Sequence, residues 1–153
     1  MGYKLGNRSR KRLAGVHPTL IRLIEYALID SPFDFGIPAD GGARTLQRQK
    51  ELYSKGRTTV QLLLKGIVSV KGQPKKSKVT WTLKSKHRIQ NSGYGHAFDL
   101  YAYIDGKAKW DSEYIDPIGD HILKCAKELD IKIQLGITDK KGRHKDKGHF
   151  QLV

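Results

Sequence analysis

The stretch from residue 115 to 129 constrains the fold more than any other part of this chain. Ile118, Ile122, Cys125, Ala126 and Leu129 recur at helical spacing and so share one apolar face. A helix with one apolar stripe has to bury it against another element. Residues 18–30 carry a second stripe in Leu20, Leu23, Ile24, Ala27 and Leu28. Pro18 stands early in it, where a missing N–H costs nothing, and Ser31-Pro32 ends it. Other helical signals are shorter: residues 7–14, residues 43–55 closed by Gly56, and a turn over 60–64.

Between the two stripes the chain is rich in short strand signals. Residues 33–38, 79–83, 97–104, 107–110, 131–135 and 149–153 read as strands, and Asp105-Gly106 is a hairpin-turn dipeptide. Residues 67–77, with Gly72, Pro74 and several lysines, read as a surface loop, because too little chain flanks them for two cores. The sum is a small α+β fold, an antiparallel sheet flanked by helices. A chain of 153 residues has material for one core, so residues 1–153 are expected to form a single domain without a separate binding domain.

Composition excludes several classes. With 38% apolar and 29% charged residues the chain is globular in character, and no apolar run approaches the roughly 18–20 residues of a membrane span. Basic residues near the N-terminus have no apolar stretch behind them, so no secretory signal is expected. The single cysteine, Cys125, rules out an internal disulfide framework and a cysteine-built zinc finger, and fits synthesis in a reducing cytoplasm. Any metal would therefore be held by histidine and carboxylate.

The net charge is +14, and residues 41–98 concentrate it: thirteen basic residues stand there against one acid, Glu51. Such a field attracts polyanions, whether nucleic acid, anionic lipid or a phosphate-rich bacterial envelope. Charge alone does not choose among them.

Chemistry is carried by three short motifs: Ser85-Lys86-His87; Gly93-Tyr94-Gly95-His96-Ala97-Phe98-Asp99, a glycine-rich loop entering a strand; and Asp146-Lys147-Gly148-His149-Phe150. Zinc takes about four ligands, and a catalytic site leaves one position to water. Histidine and aspartate suit it and can come from distant parts of a chain. A carboxylate three residues before a ligand histidine can lie beside the metal without binding it, where a general base is needed.

These motifs resemble the zinc peptidase family of D-Ala-D-Ala carboxypeptidases and bacteriophage L-alanyl-D-glutamate peptidases. Ala43-Arg44-Thr45-Leu46-Gln47-Arg48-Gln49, followed by Leu52-Tyr53 and Gly56, is similar to the family's upstream motif. The resemblance covers nearly the whole chain in order. It implies Zn2+ bound by His87, Asp99 and His149 on the sheet, and Asp146 as the base that takes a proton from water and passes it to the leaving amine. It also implies Arg44 on the substrate carbonyl, with Ser85 and Gln49 as supporting or substrate-side residues and no covalent intermediate. His87 and Asp99 are twelve residues apart, a longer spacing than in the compact form of the motif, with residues 88–92 as an insertion. That leaves His96 as an alternative ligand. Strand residues three apart point to opposite faces, which favours His87.

The expected function is that of a phage endolysin. The protein would be made in the host cytoplasm as a monomer, reach the wall or periplasm after membrane permeabilisation, and cut the peptidoglycan stem peptide between L-Ala and D-Glu. The basic surface would meet the anionic envelope. Removal of terminal D-Ala is the alternative within the family. A nucleic-acid-binding protein or small metal nuclease is the rival outside it, supported by the charge and by the clusters at 75–78 and 140–143, but no specific nucleic-acid motif is present. His17, His121 and His144 read as ordinary histidines, Cys125 as a buried thiol, and Trp81, Trp110 and the tyrosines as core or groove wall.

Overall fold

The computed structural model describes residues 2–136 and 147–153. Among these residues five helices and six strands follow in chain order: α1 (Asn7–Arg12), α2 (Pro18–Asp30), β1 (Asp34–Gly36), α3 (Leu46–Ser54), α4 (Thr59–Leu64), β2 (Ala97–Asp99), β3 (Tyr101–Ile104), β4 (Lys107–Lys109), α5 (Ser112–Glu128), β5 (Ile133–Leu135) and β6 (His149–Leu152). The α+β expectation holds, and every strand pair is antiparallel.

The two apolar stripes become α2 and α5, which pack on each other and bury Leu20, Leu23, Ile24, Ile118 and Ile122 completely. Pro18 opens α2 as expected, and the His17 ring caps it by accepting the Thr19 N–H at 3.1 Å. Phe98 and Phe150 stack across the β2–β6 pair with ring centres 5.0 Å apart, and both side chains are fully buried. Cys125 is buried on the inner face of α5.

Two expectations about strands change. Residues 97–104 do not run as one strand. They divide at Leu100, which puts β2 in a sheet of order β2-β6-β5 and β3 in a separate sheet of order β1-β3-β4. At the division the Leu100 N–H turns to the Gly148 carbonyl at 2.9 Å rather than to a partner within either sheet. Residues 79–83 are not a strand at all. Their alternation runs the wrong way: Thr80 is buried while Val79 and Trp81 face out. The buried Gln49 amide fixes this by donating to the Thr80 hydroxyl at 3.1 Å and to the Thr82 carbonyl at 2.7 Å. A side chain thus takes the acceptor that a neighbouring strand would have used. Trp81 accordingly stays out of the core, and Tyr53 is a tyrosine that enters it.

Candidate metal centre

β2 and β6 place Asp99 directly opposite His149, so both side chains leave the same side of the sheet. The third residue arrives from outside the sheet. Residues 86–89 are pinned on two sides: the His96 N–H donates to the Lys86 carbonyl at 2.8 Å, and the Arg44 N–H donates to the His87 carbonyl at 2.8 Å. The Ile89 N–H returns to the Arg44 carbonyl at 2.9 Å. This clamp fixes His87 beside β2 and sets Arg44 next to it.

His87, Asp99 and His149 converge so that one donor atom from each lies within 4.8 Å of the other two. His87 Nε2 is 3.1 Å from both Asp99 Oδ1 and His149 Nδ1, and His149 Nδ1 is 2.9 Å from Asp99 Oδ1. Both histidines are almost wholly buried.

The outer ring atoms decide what faces inward. His87 Nδ1 meets the Gly42 carbonyl at 2.9 Å, and a carbonyl can only accept, so that nitrogen carries the proton. His149 Nε2 likewise donates to Gln151 Oε1 at 2.9 Å. In the neutral rings, Nε2 of His87 and Nδ1 of His149 then present lone pairs towards a carboxylate oxygen. Three acceptors crowded together repel one another unless a proton or cation lies among them. This donor set suits zinc, whose bonds of about 2.0 Å in a tetrahedron need ligand atoms roughly 3.3 Å apart. Outer hydrogen bonds that hold each ring's tautomer and orientation are the usual accompaniment of such a centre.

Burial works against charge on Asp99, but when the His149 and His87 rings are doubly protonated the hydrogen bonds their inner N–H groups donate, together with their positive charge, outweigh it. The carboxyl is held well below the usual carboxylate range. It is therefore an anion at any pH where the protein would work.

Arg44 borders the cluster, with Nη2 3.8 Å from Asp99 Oδ2. Its Nε donates to the Asp40 carbonyl at 2.8 Å and its Nη1 to Gln49 Oε1 at 3.2 Å. The guanidinium is thus fixed in direction by backbone and by a buried amide. Ser85 Oγ accepts the His87 N–H at 3.2 Å and steadies the bend that delivers that ring. His96, the alternative ligand, lies apart from the cluster: its Nε2 is 2.7 Å from Ser92 Oγ and its ring meets His17 edge-on. Asp146 and His144 lie outside the described residues. His121 donates to the Ala27 carbonyl at 2.8 Å, a bond between α5 and α2.

A cleft of about 330 Å³ opens beside Asp99, lined by Pro38, Leu100, Trp110, Ile115, Lys147 and Gly148. Trp110 is groove wall, as expected, though much of it is exposed. Sequence reasoning missed Gln151 and the Gly42 carbonyl. Gln151 had a signal: it stands two residues after His149 on a strand and so shares its face. A backbone carbonyl leaves no trace in residue identity.

Comparison with known proteins agrees with this geometry. The family model for phage L-alanyl-D-glutamate peptidase matches residues 1–153. The L-alanyl-D-glutamate peptidase of Escherichia phage T5 is 30% identical over 164 residues, an alignment covering all of both chains. The crystal structure of the L-Ala D-Glu endopeptidase ChiX of Serratia marcescens is similar with a TM-score of 0.67 and 29% identity, over 99% of this chain and 91% of that one. Motif order, a three-residue centre on one face of a sheet, and a match over the full length all lead to one conclusion: the chain belongs to the phage L-alanyl-D-glutamate peptidase family.

Proposed function

We propose that this protein is a zinc-dependent endolysin that hydrolyses the L-alanyl–D-glutamate bond in the stem peptide of bacterial peptidoglycan. The observation that carries this reading is the convergence of three acceptors, the buried His87 and His149 and the partly buried Asp99, beside a fixed guanidinium. These three would hold Zn2+, which when bound supplies Lewis-acid polarisation of water and carbonyl.

The chain's own residues divide the remaining work. Arg44, oriented by Asp40 and Gln49, hydrogen-bonds the scissile carbonyl and stabilises the charge that grows on its oxygen. Asp146 accepts the proton of the attacking water and returns it to the amine of the departing D-glutamate, which would otherwise leave as a poor anion. Ser85 is occupied in holding His87, which supports direct attack by water over a covalent intermediate. The cleft walled by Trp110 and Lys147 accommodates peptide on one side of the bond.

The names of the relatives support endopeptidase cleavage over removal of terminal D-Ala, and a hydrolase over the nucleic-acid rival. In this reading residues 1–153 are one catalytic domain, acting as a monomer. It is synthesised in the host cytoplasm and reaches the wall once the inner membrane is breached. No helix among the described residues is long and apolar enough to cross a membrane.

The test is digestion of purified peptidoglycan by zinc-loaded protein, read by mass spectrometry, with Asp146→Ala as control. Free peptides beginning at D-glutamate, absent in the control, are expected. Loss of terminal D-Ala alone would move the protein to the carboxypeptidase reaction, and an undigested wall would refute the proposal.

A further inference from the structure

Residues 52–98 hold ten lysines and arginines and no acid. The same segment carries an aliphatic surface that the metal centre does not use. In α4, Leu62 points inward and is fully buried with Tyr53 and Ile67. Val60, Leu63 and Leu64 lie at the i, i+3 and i+4 positions of the other face and are exposed, Leu64 to 82%.

The turn after α4 extends this face. Gly66 takes a positive φ of 76°, its N–H donates to the Leu63 carbonyl at 2.9 Å, and the Ile67 N–H donates to the Leu62 carbonyl at 2.9 Å. This closing motif tucks Ile67 in beside Leu62 and leaves Val68 81% exposed. Four aliphatic side chains within nine residues therefore meet solvent.

Cations surround them. The loop after Val68 folds back on the start of α4: the Gly72 N–H donates to Thr59 Oγ1 at 3.0 Å, and the Gly56 N–H donates to the Gln73 carbonyl at 2.9 Å. Lys65, Lys71, Lys75, Lys76 and Lys78 are all exposed on this lobe, and none makes an ion pair among the described residues.

We propose that the α4 lobe docks on an anionic phospholipid bilayer, with Val60, Leu63, Leu64 and Val68 entering the interface and the lysines meeting lipid phosphates. Exposed aliphatic side chains and lysines unpaired among the described residues coincide on this lobe. Lysines alone would suit any polyanion, but exposed leucine and valine gain nothing from a nucleic acid or a glycan strand. At a bilayer surface they are taken out of water while neighbouring ammonium groups stay with the headgroups. The inference is independent of which bond the protein cuts.

Sedimentation with phosphatidylglycerol–phosphatidylethanolamine vesicles, using the full chain, tests it. Phosphatidylcholine vesicles and purified RNA serve as comparisons. The wild type should pellet with the anionic vesicles and stay in solution with phosphatidylcholine. The double variant Leu63→Ser, Leu64→Ser should bind those vesicles at least about tenfold more weakly. Lys75→Ala, Lys76→Ala should also weaken binding, by about fivefold per lysine at low salt. Each variant's digestion of peptidoglycan relative to wild type, with its circular dichroism spectrum, reports folding. Failure of the wild type to bind anionic vesicles, or equal binding to phosphatidylcholine, overturns the proposal. So does a folded leucine variant that binds as the wild type does while only the lysine variant weakens, which would assign the lobe to polyanions such as RNA.

Discussion

Gln151 contacts no substrate in any reading of this site, yet its side chain decides what His149 offers. By accepting from Nε2 it keeps the proton on the outer nitrogen and leaves Nδ1 to the cluster. If the cluster holds zinc as proposed, Gln151→Leu should lower zinc affinity by about 10–100-fold while saturating zinc restores most activity, measured by competition with a chromophoric chelator. Asp40 invites a second prediction. The hydrogen bond from Arg48 holds the Asp40 carboxyl below its ordinary range, with the two groups joined at 2.7 and 2.9 Å. A carboxyl whose pKa is depressed by folding contributes stability above the ordinary value, about pH 4, and loses it as pH falls through the folded value. Asp40→Asn keeps the carbonyl that receives Arg44 and tolerates the positive φ of this position. It should lower stability at pH 7 by under about 1 kcal/mol, because both groups meet solvent, seen as a small drop in the thermal midpoint that closes in acid.

Among the elements, the contrast between Gly56 and Gly66 separates two reasons for glycine. Both have φ between 76° and 79°. A Cβ on Gly66 would meet open space, whereas one on Gly56 would lie 2.5 Å from Lys78 Cγ and 2.9 Å from its backbone nitrogen. Gly66→Ala should cost about 1–2 kcal/mol, the backbone penalty alone. Gly56→Ala should cost more, because the strand of loop above it has to move; urea denaturation of the pair checks the order. Legibility in the sequence follows the same division. The α2 and α5 stripes and the turn at Asp105-Gly106 were readable because local periodicity and local backbone demands cause them, whereas Gly56, expected to close α3, leaves that cap to Lys55 and donates its N–H to the Gln73 carbonyl instead. The break at Leu100 and the irregular course of residues 79–83 were not, because a carbonyl at Gly148 and an amide at Gln49 impose them from far along the chain. His87, Asp99 and His149 were legible through motif order, and the structure adds the outer atoms that set their protonation.

Across the whole molecule the charge is unevenly held, with the acid-free lobe of residues 52–98 carrying much of the positive excess. If that field takes part in approach to the anionic envelope, binding to isolated wall should fall steeply between about 50 and 300 mM salt, followed by cosedimentation with the Asp146→Ala variant, which the proposed role of Asp146 as the base would make inert. Salt-independent binding would remove the electrostatic role.

The three converging side chains also have a topological meaning. They are separated by 12, 50 and 62 residues along the chain. An ion bound by all three would close those loops as a cross-link does, joining β6 to the segment around residue 87 and shrinking the freedom of the unfolded chain wherever the ligands stay bound. Removal of metal by a chelator should then lower the melting temperature, by an amount that grows with the logarithm of the ratio of free metal to its dissociation constant, and amide exchange should quicken first in β6 rather than in α2. A centre assembled for hydrolysis would double as the rivet that keeps the C-terminal strand in place.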